Sequence, residues 1–293
     1  MQRSKTVSYL EAVFAVIVWG ASFIATKVVL QDISPTTTVW LRFTMGIVIL
    51  GIAVLMRGQF ALPDKKEWGY FALLGFLGIT FHQWLQSNGL QTSEAGTTAW
   101  IVSTTPVFMA LLGWIVLKEG LSWLKTTGIL LAFSGVLLVV SKGDLSSISI
   151  GKFGAPGDFL IMISAVNWAV FSVLSRRGLK SHPASLMMFY VMILGWAFTS
   201  VLFFTGDGLG EFSKLTFHGW LGVTFLGVFC SGLAYIAWYD ALQTLPAAQT
   251  GVFLYIEPLV AVVVAFFVLG EKTSVESLVG GVFILFGVWL VNR

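Results

Sequence analysis

TPVFMALLGWIVLKEGLSWLKTTGILLAFSG, residues 105–135, returns in rewritten form as EPLVAVVVAFFVLGEKTSVESLVGGVFILFG, residues 257–287. Pro106, Glu119, Gly128 and Gly135 reappear as Pro258, Glu271, Gly280 and Gly287, each 152 residues on. Leu117-Lys118-Glu119 aligns with Leu269-Gly270-Glu271, and Gly89-Leu90-Gln91-Thr92 with Ala241-Leu242-Gln243-Thr244. Nearer the N-terminus an offset of 149 pairs Trp19 with Trp168 and Lys27 with Arg176, so one three-residue indel reconciles the two registers. The chain reads as a duplication.

What is duplicated follows from composition. Of 293 residues 57% are apolar, 15% aromatic and only 11% charged, with a mean hydropathy of +0.88. That is the composition of a polytopic membrane protein. Trp68 to Ser93, Ala95 to Leu117, Ser181 to Gly206 and Leu215 to Tyr239 contain no Asp, Glu, Lys or Arg. Each is long enough to cross a hydrocarbon core of ~30 Å as helix. The alternation expected of a barrel strand is missing. Glu11 interrupts the first apolar run and Trp19 has a repeat partner deep in the chain, so the run reads as a first span and not as a cleaved signal.

Ten spans are expected, near 8–30, 36–56, 67–91, 95–117, 123–141, 157–177, 183–205, 215–240, 247–269 and 274–292. Five per half is an odd number, so the two halves enter the membrane from opposite sides, related by a pseudo-two-fold axis in its plane. The predicted organisation is a first repeat over 1–144, an outer Ser/Gly-rich linker over 145–156 and a second repeat over 157–293. Arg3, Lys5, Arg57, Lys65, Lys66, Lys118, Lys125, Arg176, Arg177, Lys180 and Arg293 fall on one side; Lys142, Lys152, Lys214 and Lys272 fall on the other. The positive-inside rule then places both termini in the cytoplasm. The net charge of +3 reports topology, not a nucleic-acid partner. Cys230 is the single cysteine, so neither a disulfide framework nor a Cys/His metal cluster is available.

Ionisable and proline residues inside spans are costly and line cavities, interfaces or water paths. Glu257, beside Pro258 in the ninth span, reads either as a cation or proton site or as a carboxylate hydrogen-bonded to a neighbouring helix. Pro106 and Pro258 each remove a backbone donor and free the carbonyls of Val102 and Leu254. Those carbonyls accept either from a substrate or from a Ser/Thr hydroxyl, and a packing kink is the structural alternative. Recurrence at equivalent positions favours a midplane site. His82 and Gln86, four apart, share one face of the third span; they line a cavity or, on the plainer reading, make a helix contact. His82 has no second ligand at zinc spacing, so no metal is expected. Trp19 and Trp168, inside their spans, together with Tyr235 and Tyr239 on one face of the eighth span, suit a stacking wall for a flat apolar group. Most other tryptophans read as an interfacial belt. Lys27 and Arg42 are expected to snorkel to the outer interface; turned inward, either would attract a carboxylate. The paired glycines of the fifth and tenth spans suit close helix packing. No triad, phosphate loop or redox motif appears, which disfavours an enzyme.

Trp19-Gly20 with Phe23, Thr105-Pro106-Val107 followed by Leu117-Lys118-Glu119, and Glu257-Pro258-Leu259 followed by Leu269-Gly270-Glu271-Lys272 together resemble the EamA-type ten-helix members of the drug/metabolite transporter superfamily. Within it the chain looks like the YddG-type exporters of aromatic amino acids. The resemblance implies spans one to four and six to nine around a central cavity, with five and ten at the periphery. It implies efflux of aromatic and other apolar amino acids across the bacterial inner membrane.

A zwitterion needs donors for its carboxylate, for which His82, Gln86 and Asn88 are candidates, and acceptors for its ammonium, for which Glu257 and the freed carbonyls are candidates. Its apolar part would lie against Trp19, Trp168, Tyr235 and Tyr239, with Trp100 and Ser103 completing the wall. The expected partners are a small-molecule substrate and the lipid bilayer, for a monomer without a cofactor. Proton antiport, facilitated diffusion, export of hydrophobic cations, and a membrane sensor or scaffold stay open at this point.

Overall fold

A computed structural model of the chain describes residues 5–118, 120, 122–144, 154–245 and 247–293; among these every regular element is helical. Glu119 and residues 145–153 of the expected linker lie outside the described residues. Long unbroken helices are α1 (Lys5–Val29), α2 (Pro35–Met56), α7 (Trp123–Ser141), α8 (Pro156–Ser181), α9 (Ala184–Thr205) and α14 (Val275–Val291). The others are interrupted. A π-helical segment, Phe76–Phe81, joins α3 (Trp68–Gly75) to α4 (His82–Gly89), and another, Phe225–Leu233, joins α10 (Phe217–Thr224) to α11 (Ala234–Thr244). A short turn separates α5 (Ala95–Val102) from α6 (Thr105–Leu117), and a 3₁₀ segment, Phe253–Ile256, separates α12 (Ala247–Val252) from α13 (Glu257–Leu269).

Eight of these helical runs are long and apolar enough to cross a membrane. The expected third and tenth spans fall outside that set for physical reasons. Trp68–Gly89 carries His82, Gln83, Gln86, Ser87 and Asn88 towards its C-terminal end, which lowers its hydropathy. Val275–Val291 has only 17 residues, a rise of ~25 Å.

Local sequence accounts for the ends. Ser34 caps α2 by accepting from the Thr37 N–H at 3.3 Å, with Pro35 in the first turn where no donor is missed. Ser122 and Ser274, 152 residues apart, cap α7 and α14 alike, each accepting from the N–H three residues on. Lys118 and Gly270, the same distance apart, close α6 and α13 in the left-handed region at φ 54° and 67°. Their N–H groups return to the carbonyls of Gly113 and Ala265.

The seam between α7 and α14 is built from glycine. A Cβ on Gly128 would come within 2.6 Å of the Gly287 carbonyl, and one on Gly135 within 2.5 Å of the Gly280 carbonyl. The start of one helix therefore faces the end of the other, so the pair is antiparallel, and repeat-equivalent residues exchange contacts across it.

Polar clamps tie both ends of the bundle. Where α1 finishes, Lys27 Nζ donates to Glu271 Oε1 at 3.1 Å and to the Ser93 carbonyl at 2.8 Å. The same carboxylate accepts from the N–H groups of Ala95 and Gly96 and so caps α5. Lys27 is thus paired, not snorkelling as expected. Nearby, Glu211 accepts from the N–H and hydroxyl of Ser34 at 3.0 and 2.8 Å. At the opposite end Arg57 makes a two-pronged pair with Asp240, both contacts 2.7 Å.

Two outcomes are expected. Gly135→Val should lower stability by about 1–3 kcal/mol, read as a lower unfolding midpoint in detergent. Gly96→Ala, whose new Cβ would meet nothing nearer than 3.5 Å, should be neutral or slightly stabilising. Partial burial raises the pKa of Glu211, but hydrogen bonds from Thr37 and Ser34 outweigh that and hold the carboxyl below its usual range. A depressed native pKa gives stability that is complete above the unfolded value near ~4.3 and is lost as pH falls through the native one. Unfolding midpoints across the acid range should therefore fall less steeply for Glu211→Gln than for the wild type; parallel curves would refute this.

Candidate functional site

The two helix breaks and the C-terminal part of the third helical run meet around a cavity of about 100 Å³ lined by Trp19, Ser22, Phe23, Arg42, His82, Gln83, Gln86, Val102, Trp168, Tyr235, Leu254 and Glu257. The breaks place it. Pro106 and Pro258 open α6 and α13, where a missing N–H costs nothing, and the chain just before each turns towards the cavity. The breaks differ in how they dispose of their carbonyls. In the first half the hydroxyls of Ser103, Thr104 and Thr105 donate to the carbonyls of Trp100, Ile101 and Val102 at 2.6–2.7 Å. In the second half the equivalent positions are Tyr255, Ile256 and Glu257, and the Leu254 carbonyl accepts the Glu257 N–H, with no side-chain hydroxyl donating to it among the described residues.

Close approach of α1 to α13 fixes the wall beside Glu257, since a Cβ on Gly20 would come within 2.6 Å of the Glu257 carbonyl. Only glycine fits there. Trp19, next to it, donates its indole N–H to the Cys230 carbonyl at 3.1 Å. Its ring meets Tyr235 edge-on at 5.5 Å between centroids and Trp238 at 5.3 Å. On the other side His82 lies over Trp168 at 4.6 Å. His82 Nδ1 is 3.2 Å from the Ser164 carbonyl, which can only accept, so Nδ1 carries a proton and is the donor in that contact. The Glu257 carboxylate has no hydrogen-bond or ion-pair partner among the described residues, which sets aside the reading of it as a helix-to-helix tie.

Arg42 departs most from expectation. It does not snorkel: only 5% exposed, its guanidinium turns into the bundle and lines the cavity. Nε donates to Ser231 Oγ and Nη1 to Gln83 Oε1, both at 3.0 Å. Sequence reasoning missed Gln83 and Ser231 as well. The available signal was that Gln83 stands three residues before Gln86, on an overlapping helical face.

Trp19, His82, Gln86, Trp168, Tyr235 and Glu257 are thus brought together, and four other candidates are not. Asn88 is turned away, its side-chain amide donating to the Trp84 carbonyl at 2.8 Å. Trp100 packs outward against α14, its indole filling the space over Gly281. Ser103 is occupied by its own helix end. Tyr239 lies behind Tyr235 in the apolar core, 6.2 Å between centroids. Among the described residues no group of three or more His, Cys, Asp or Glu is placed to hold a metal.

Polar and aromatic side chains from both halves of the chain line this cavity. Comparison with known proteins places the whole chain in a family. The model of the EamA-like transporter family matches residues 6–141 and again 155–293. An uncharacterized transporter of Archaeoglobus fulgidus is 29% identical over 290 residues, 99% of this chain and 98% of the relative. A probable terminal-alkyne amino-acid exporter of Streptantibioticus cattleyicolor is 28% identical over 293 residues, 100% of this chain and 95% of that protein. A protein solved by crystallography superposes with a TM-score of 0.68 at 20% identity, covering 98% of this chain and 96% of its own, a likeness of fold alone. A multi-pass membrane protein and a transporter, not an enzyme, this chain belongs to the EamA-like transporter family.

Proposed function

We propose that the protein exports aromatic and other apolar amino acids across the bacterial inner membrane by alternating access, through ten spans arranged as two inverted repeats with cytoplasmic termini. The observation that carries this reading is the cavity itself, lined from both halves of the chain at two repeat-equivalent helix breaks. Trp19, Trp168 and Tyr235 offer flat surfaces to an apolar side chain, and Glu257 with the Leu254 carbonyl offers acceptors to an ammonium group. The antiparallel glycine seam supports inversion, because exchange of equivalent contacts between α7 and α14 is what a two-fold axis across them produces. The interruption between the two family matches, after residue 141, supports a division there. The amino-acid exporter named among the relatives supports the substrate class.

A volume of about 100 Å³ is smaller than the ~150 Å³ that admits benzene in an engineered protein core. The chamber therefore has to open to load. The Lys27–Glu271–α5 clamp closes the end of the bundle assigned to the outside, and the Arg57–Asp240 pair crosses the end assigned to the cytoplasm. Glu257, half-buried in the cavity and without a hydrogen-bond or ion-pair partner among the described residues, favours a second reading, export of hydrophobic cations.

Counterflow in proteoliposomes across a broad solute panel tests the assignment. Labelled phenylalanine and tryptophan should exchange, and quaternary ammonium dyes should not compete. Glu257→Gln and His82→Ala should each slow exchange at least about tenfold, the scale of one lost charged contact, whereas Asn88→Ala should leave it unchanged. Dye transport without amino-acid exchange would establish the second reading instead.

A further inference from the structure

A guanidinium buried in an apolar bundle is stable only with its donors and its charge both compensated. Arg42 has half of that. Ser231 and Gln83 take one N–H each from Nε and Nη1, both as neutral oxygens. Nη2 has no hydrogen-bond partner and no carboxylate is paired with Arg42 among the described residues. Glu257, the acidic residue in the same cavity, makes no ion pair with it. Other ionisable side chains around Arg42 are His82 in the cavity and Cys230 and Tyr235 on the packed π segment and α11, none of them a carboxylate. The cation is held in place from two sides by elements of opposite halves, α4 and the Phe225–Leu233 segment, and it lines the cavity that Trp168 and Tyr235 also line.

We infer that Arg42 is the residue that reads the carboxylate of the transported solute, with Gln83 and Ser231 as positioning residues that hold its fork towards the cavity. A planar guanidinium presents parallel N–H donors that match a carboxylate and do not match a carboxamide or a bare alkyl end. The site then discriminates by polarity at both ends. Arg42 faces the anionic group, Glu257 the cationic one, and a solute lacking the carboxylate leaves the guanidinium without its counter-charge. This deepens the amino-acid reading and rests on it.

Matched solutes that differ only at the anionic end decide the point. Phenylalanine, phenylalaninamide, 2-phenylethylamine and 3-phenylpropionate are compared in counterflow on the full-length protein. In the wild type phenylalanine should compete at least about tenfold better than its amide or the amine. Arg42→Gln should raise the half-saturation of phenylalanine by about tenfold or more with that of the amide unchanged, so that the acid-to-amide ratio collapses towards one. Arg42→Lys, which keeps the charge and loses the fork, should fall between, and Gln83→Ala should reduce the ratio with Arg42 intact. These two variants carry the test if Arg42→Gln fails to fold.

A ratio unchanged by substitution, or an amide that competes as well as the acid in the wild type, overturns the inference and leaves amino-acid export standing. If none of the four solutes moves, export of amino acids is wrong, and thermal unfolding then decides for Arg42. A rise in midpoint with 3-phenylpropionate in the wild type but not in Arg42→Lys supports carboxylate binding, and no rise in the wild type overturns it.

Discussion

Inside this bundle a polar group has no bulk water to fall back on, and most of the architecture follows from that constraint. Two departures from regular helix, the Phe76–Phe81 segment and the first proline break, are matched by local side-chain partners. In the π segment at Phe76–Phe81 the Leu77 carbonyl accepts the Asn167 side-chain amide at 2.7 Å besides the His82 N–H. Thr80 in the same segment donates to the Gly195 carbonyl at 2.7 Å. At the first proline break three successive hydroxyls close on three successive carbonyls. Non-helical backbone at membrane depth is tolerated where protein satisfies it or a cavity solvates it, and here both solutions occur in one molecule.

The constraint also explains why the duplicated halves carry unequal chemistry. The frame is shared: the serine caps of α7 and α14, the left-handed ends of α6 and α13, and the glycine seam all recur at one spacing. The polar contents are not shared. Thr105, which seals its own break, is replaced by Glu257, which does not. His82, which faces the cavity, corresponds to the fully buried Ala234. Two copies of one scaffold thus give a cavity with unlike walls.

The elements that line the cavity also carry the clamp at one end of the bundle. α1 contributes Trp19 to the wall and Lys27 to the end clamp, and α13 begins at Glu257 and runs to the clamp residue Glu271. Beside the cavity wall α1 and α13 pack backbone to backbone at Gly20. The cavity wall and the end clamp therefore share the same two helices.

Composition and the 152-residue recurrence were enough to determine an all-helical membrane protein, the duplicated frame, the two proline breaks and the glycine packing, because these depend on local backbone chemistry and on hydropathy. They also picked out Trp19, His82, Gln86, Trp168, Tyr235 and Glu257, since polar or repeat-matched residues inside apolar runs stand out in one dimension. The direction in which a side chain faces depends on the rotation of each helix, and the π segments reset that rotation within a run. Asn88, Trp100, Ser103 and Tyr239 pass every one-dimensional test and still point elsewhere. Arg42 sits where a snorkelling cation would sit in the sequence. Only the packing of α2 against the second-half π segment and α4 supplies Ser231 and Gln83 as partners and turns the guanidinium inward, because a charge in an apolar medium goes where the third dimension provides acceptors.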